Sequence, residues 1–408
     1  MVYLIQRGNH RDTQLEYRAV NTQGAYDVKF DYSRNAPMIL HCTLLLLTAV
    51  LASDSPLHPD EAKAIGEPVL LTSPAMFLKA GESYFDPDTK RIIFQAIEHP
   101  PEGVEPDEEY GMYIGDLTFD EKDEISGLEN VSRISNEGSA NTCGWFHPTD
   151  TSLVLFATTM KPLVDSDAPG YQRGSGKYRW AFPQQMNIAA FNLESKEFTP
   201  LVTDTENYLA EGSWSPDGRH VLYCSLATGS GDIYITDLQT GVSRLIVGDN
   251  GYDGGPFFSP DGKRIVYRSD RRGNDLLQLY VAELKFDAQG SIIGITKEYQ
   301  LTDNEHVNWG PFWHPNNRFL IYATSEISHR NYELFVCDAD GGEDNGTTRY
   351  GLRRRRITHT HGFDGLPAFN ADGTVLMWTS KRKTGTSQLW TAPFHYDLDA
   401  GPASTEHE

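Results

Sequence analysis

The chain has 408 residues, 39% hydrophobic and 11% aromatic, enough to bury a substantial core, which excludes a globally disordered protein. Its formal net charge of −22 excludes nucleic-acid phosphate and anionic membrane as the main partner, since both demand clustered Lys and Arg. The one basic run, Arg353 to Arg356, stands in an acidic background and reads as a solvated loop or strand edge.

In chain order, residues 1–37 show no clear periodicity. They precede MILHCTLLLLTAVLAS, Met38 to Ser53, whose apolar run is too short to span a bilayer as a helix. The run ends Ala49-Val50-Leu51-Ala52, as a secretory signal does before its cleavage site; the competing reading is a buried strand or helix of the fold. The signal reading is preferred because polar residues follow directly. Translation is then expected to start at or near Met38, with 1–37 a non-native or untranslated extension, 38–52 a signal peptide, 53–65 a linker and Ser53 the mature N-terminus. That places the protein in the periplasm or outside the cell, without membrane insertion. The mature chain carries 30 basic and 53 acidic residues and retains Cys143, Cys224 and Cys337. Each falls in an expected strand and reads as a buried, unpaired thiol.

From residue 66 onward one hairpin recurs. The copies are GESYFDPDTKRIIF, CGWFHPTDTSLVLF, EGSWSPDGRHVLY, GGPFFSPDGKRIVY, WGPFWHPNNRFLIY and GLPAFNADGTVLMW. In the fourth, Pro260 and Gly262 make a tight turn between two strands. Two residues before the turn proline, or its equivalent Ala371, stands Phe85, Phe146, Trp214, Phe258, Trp313 or Phe369. The second strand closes on Phe94, Phe156, Tyr223, Tyr267, Tyr322 or Trp378. One hairpin cannot bury so much aromatic area, so neighbouring copies must stack.

A third strand follows each copy (MYIGDL, MNIAAFNL, IYITDL, LYVAEL, LFVCDA, LWTAPF), and a short fourth follows most (VSRIS, FTPLVT, VSRLIV, YQLTD, RRIT). Four strands per unit at spacings of 44 to 68 residues predict an all-β, six-bladed β-propeller of four-stranded antiparallel blades over 66–396, with 397–408 a polar tail. The sixth copy lacks a fourth strand. Pro68 to Thr72 is the candidate that closes the ring and removes its open edges.

These repeats resemble those of the TolB-type β-propellers, the family that includes the propeller of the Tol–Pal periplasmic protein. The frame from Gly254 to Ser269 carries the resemblance, and EGSWSPDG and GFDGLPAFNADG match closely. It implies the fold more than the activity, because the same repeat decorates peptidases, lyases and pure binding proteins. No separate α/β domain is expected ahead of this propeller, unlike in TolB itself.

Chemistry-bearing motifs are sparse. There is no G-x-S-x-G elbow, no phosphate-binding G-x-x-x-x-G-K-[ST] loop, and no C-x-x-C or H-E-x-x-H. No cofactor is expected. His306, His359 and His361 are candidate metal ligands, resembling loosely the inner-strand histidines of oligogalacturonate lyases, although Gly362 to Gly365 moves two of them outward. Surface histidines are the competing reading.

A polar position recurs seven residues before the turn proline: Asn141, Asp253, Asn308 and Asp364, with Glu82 and Glu211 two residues further on in the two blades that lack it. Local capping of turns explains such residues, and so does a polar ring around the channel mouth suited to a cation, an amine or a peptide N-terminus. The loop between second and third strands is longest in the second repeat, where Arg179 and Trp180 have the composition of interface anchors. Two functions follow as expectations. The first is a monomeric, non-enzymatic binding scaffold for a peptide, protein or glycan at the channel mouth and top face. The alternative is a metal-assisted lyase or hydrolase at that mouth.

Overall fold

A computed structural model describes residues 56–106, 109–162, 185–248, 250–339, 351 and 353–396. It also describes the strand backbones Tyr3–Arg7, Gln14–Asn21, Gly24–Asp31, Gly170–Tyr171 and Trp180–Ala181. The chain divides into two compact units, Met1–Pro56 and Leu57–Glu408. In the first, the three strands pair in chain order as an antiparallel meander, regular structure where no periodicity was legible. Among the described residues no helix is long and apolar enough to cross a membrane.

The second unit is built of six four-stranded antiparallel sheets. Their inner strands are Lys79–Phe85, Ser139–Phe146, Leu209–Trp214, Asp253–Phe258, Asn308–Trp313 and Asp364–Phe369, which define blades 1 to 6 in that order. In blades 1 to 5 the four strands pair in chain order, in blade 2 across an insert that carries its own short hairpin. Blade 6 takes its outer strand from Val69–Leu70, with Trp390 opposite Leu70 and Thr391 opposite Val69. The N-terminal strand therefore closes the ring, as expected. Residues read as linker from their polarity are docked there too: Glu61, Ala64 and Ile65 are at most 1% exposed, and Ile65 bridges Phe394.

The recurrent aromatics lie where stacking requires. All six on the second strands, each of which runs on past its aromatic, are buried, as are Phe146, Trp214, Phe258, Trp313 and Phe369 on the inner strands; only Phe85 is half-buried. Each apolar cluster joins neighbours, for example Leu222 and Ile233 of blade 3 with Phe258 and Tyr267 of blade 4. Met377 and Leu389 of blade 6 likewise meet Phe94 of blade 1 across the closure. At about 1.5–3 kcal/mol per large apolar side chain buried, these contacts dominate the energetics of the ring.

Candidate functional site at the channel mouth

Every inner strand breaks register at the same place, and the blade-2 strand does so a second time near its start. Three residues before the tracked aromatic, Glu82, Cys143, Glu211, Gly255, Gly310 and Leu366 all adopt φ between +45° and +58°. Each marks a β-bulge, for instance between Gly81 and Ser83, Ala210 and Ser213, or Gly254 and Phe257. A left-handed residue is expected to be Gly or Asn, so Glu, Cys and Leu at this position are held by their surroundings. The bulge re-aims the strand around the channel.

Just beyond it, blades 1, 2, 4 and 5 contribute Tyr84, Trp145, Phe257 and Phe312, each immediately before the tracked aromatic. Their rings converge: Tyr84 to Trp145 is 4.8 Å, Trp145 to Phe257 5.6 Å, Phe257 to Phe312 5.5 Å and Tyr84 to Phe312 6.0 Å between centroids. Across the group, Tyr84 to Phe257 is 5.7 Å and Trp145 to Phe312 5.9 Å. Four large rings meet because blades 3 and 6 carry the small Ser213 and Ala368 at the matching position. The cluster is a floor across the propeller's middle, and Trp145, Phe257 and Phe312 are half-buried.

Charges sit beside this floor. Glu211 accepts hydrogen bonds from Tyr252 Oη at 2.7 and 2.9 Å and from the Gly255 amide at 2.7 Å, and it pairs with Arg268. Arg268 also faces the rings of Tyr252, at 5.7 Å, and Trp309, at 5.9 Å. Glu82 accepts instead from Cys143 Sγ at 2.9 Å and from Tyr84 Oη and Thr142 Oγ1, both at 3.3 Å. Burial raises the Glu82 pKa, and the charge on Glu211 pushes it further the same way. Burial likewise pushes up the Cys143 thiol, which makes it a poor nucleophile.

The other sequence candidates are placed as follows. Asn141, Asp253, Asn308 and Asp364 are between 0 and 3% exposed. Asn308 Nδ2 donates to Asn304 Oδ1 at 2.9 Å, and Asn141 Nδ2 to the Tyr110 carbonyl at 2.9 Å. Asp253 pairs with Arg271 at 3.3 Å, and Asp364 accepts from Trp378 Nε1 at 3.0 Å and faces Arg382 at 3.4 Å. Their polarity is thus used inside the blade rims. Trp180 opens the second strand of a two-residue hairpin within the blade-2 insert, its backbone paired with Tyr171. Arg179 and the Trp180 side chain lie outside the described residues.

His306, His359 and His361 are not brought together as a ligand set. Among the described residues no group of three His, Cys, Asp or Glu side chains is arranged to hold a metal. His359 instead stacks on His58 with centroids 4.4 Å apart and planes 1° off parallel, and its amide donates to Glu61. Burial, with Arg356 and His58 nearby, holds its pKa down at about 4.

Two grooves, about 810 and 1230 Å³, open among the hairpin turns, one lined from Ser215 to Thr296 and one by Asp86, Asp372 and neighbours. Their acids serve the turns themselves: Asp86 takes the amides of Lys90 and Arg91, and Asp261 takes that of Lys263. The channel, where charge and aromatic surface converge across blades, is the stronger candidate.

Similarity to known proteins agrees with this architecture. A family model described as the TolB beta propeller domain matches residues 181–292. An uncharacterized protein of Agrobacterium fabrum is 31% identical over 135 residues, 32% of this chain and 42% of that protein. The Tol-Pal system protein TolB of Francisella tularensis is 34% identical over 88 residues, 22% of this chain and 20% of that protein. These matches span less than half the length of either relative. The solved structure of a putative TolB from Agrobacterium tumefaciens aligns over 78% of this chain and 91% of its own, at 16% identity and a TM-score of 0.47. The molecule is an all-β, six-bladed propeller. Its repeats are similar to those of the TolB beta propeller domain.

Proposed function

We propose that the protein is an exported, non-enzymatic binding scaffold that takes a peptide, protein or glycan at the channel mouth and the face around it. The observation that carries this reading is the floored channel. Four rings from four blades meet within 6.0 Å of one another beneath a charged wall. Such a cup, apolar at its base with few placed polar groups, has the composition of a ligand site. Burial holds the thiol of Cys143, beside Glu82, in its protonated form, so that it is not an activated nucleophile. In this reading Asp253, Asn308, Asp364 and Asn141 frame the rim, Glu211 presents Tyr252 and Arg268 to the lumen, and Arg179 and Trp180 anchor the partner from the insert. Export follows from the apolar segment before Ser53, and the mature N-terminus is expected there.

The test is capture of the native partner from an envelope extract, comparing wild type with the Arg179→Ala/Trp180→Ala double variant. Truncating a hot-spot Trp or Arg typically costs about 2 kcal/mol or more, so the variant should lose detectable capture while melting like wild type. Retained capture by that variant, with loss on substituting the hairpin turns, would move the site to the opposite face.

A further inference from the structure

We propose that Glu82 is the receptor for the ammonium group of an organic ligand in the channel, a cation bound between its carboxylate and the aromatic floor. The inference deepens the binding-scaffold reading and rests on it.

The two glutamates at equivalent bulges are treated differently by their surroundings. Glu211 has its counter-ion built in: Arg268 pairs with it, while Tyr252 and the Gly255 amide fill its remaining lone pairs. Glu82 has only neutral donors, the thiol of Cys143 and the hydroxyls of Tyr84 and Thr142. Among the described residues no basic side chain makes an ion pair with it. With both carboxylates ionised and Arg268 counted, the described residues of the wall carry one net negative charge. An enclosed carboxylate without a cation is costly, and a ligand that supplies the cation recovers that cost on binding.

The surroundings select the kind of cation. A carboxylate offers about four lone-pair sites, and three donors already occupy this one, leaving room for one N–H rather than a share in a metal's shell of six to eight oxygens. Tyr84 ties the acid to the floor, since its hydroxyl bonds Glu82 while its ring lies 4.8 Å from that of Trp145. Aromatic faces attract organic cations and offer a metal ion no ligand atom. An ammonium with a short apolar or peptide stem satisfies both surfaces; Arg268, held by Glu211, confines it to the Glu82 side.

The experiment titrates the full chain calorimetrically at neutral pH with n-butylammonium chloride and with triglycine amide. Neutral n-butanol, N-acetyltriglycine amide and calcium chloride serve as controls. Either ammonium probe should bind; which of them binds more tightly separates a simple amine from a peptide N-terminus. Their uncharged counterparts should bind at least tenfold more weakly. Glu82→Gln, which keeps the shape and donors of the site, should lose at least tenfold in ammonium affinity, and Glu82→Asp should lose less. A melt recorded beside each titration confirms that the variants fold. Absence of binding by both ammonium probes overturns the proposal, as does equal binding by wild type and Glu82→Gln. Calcium binding that depends on Glu82 without ammonium binding also overturns it. Should the probes fail while wild type still captures its partner and the Arg179→Ala/Trp180→Ala variant does not, the scaffold reading stands and the Glu82 assignment alone falls.

Discussion

Replacing Glu61 with Ala tests how the ring is held shut. Glu61 is 1% exposed, and its carboxylate receives Arg382 Nη1 at 2.7 Å and the His359 amide at 2.8 Å. Arg382, itself 4% exposed, reaches Asp364 only at 3.4 Å, so Glu61 is its nearer partner. Three parts of the chain thus meet: the segment before the closing strand, the loop leading into blade 6 and the loop after its second strand. Removing one partner of a buried ion pair costs about 3–5 kcal/mol when the other charge is stranded. Asp364 keeps Arg382 neutralised, which points to the lower end of that range. Freeing the half-buried amide adds about 1 kcal/mol. A loss of about 3–4 kcal/mol follows, a melting shift of roughly 4–6 °C for a unit of this size. Because the pair pins the closing strand, the loss should concentrate there. Hydrogen exchange should accelerate at the amides of Leu71 and Leu389, which bond across that junction, before it does in blade 4. A loss below about 1 kcal/mol, or exchange raised evenly through all blades, would refute the assignment of Glu61 as the clasp.

Two further outcomes are expected. The buried Glu333 carboxyl is pushed up to about 8, by burial first and then by the charge on Asp364, from an ordinary value of 4.5. The native state therefore holds an extra proton between those values, so this contribution to stability is full below about pH 4.5 and lost as pH rises toward 8; Glu333→Gln should remove a slope of at most about 1.4 kcal/mol per pH unit, read from urea midpoints across that window. At Gly255, φ is +58° and an added Cβ would run into the guanidinium of Arg268. Gly255→Ala should therefore destabilise by about 1–3 kcal/mol and, in a crystal structure, show Arg268 displaced from Glu211; an unmoved Arg268 would show that the strand absorbs the change.

The propeller was legible because its determinants are local and repeated. A turn such as Ser259 to Gly262 fixes each hairpin, and the paired aromatics around it report on blade stacking without any long-range information. Even the closure could be read, since a blade short of one strand and a spare strand at the other end of the propeller need each other. The site resisted for the opposite reason. Its bulge positions read Glu, Cys, Glu, Gly, Gly and Leu, residue types with no shared chemistry, although every one is left-handed in the structure. What unites them is a backbone geometry that six different side chains tolerate, and that leaves no common letter. Glu211 was visible as an acid near a polar repeat position, whereas its partner Arg268 lies 57 residues away on the second strand of the next blade. The floor was nearer to hand: Tyr84, Trp145, Phe257 and Phe312 each stand directly before an aromatic already recognised as core. Adjacent residues on a strand face opposite sides, so a large ring at both cannot serve one apolar interface. Two aromatics in succession on an inner strand therefore imply two places to bury them, the groove between blades and the axis of the ring. Applied to all six inner strands, that rule points to a floored channel rather than an open one, and makes the residues just above the floor the place where specificity is to be sought.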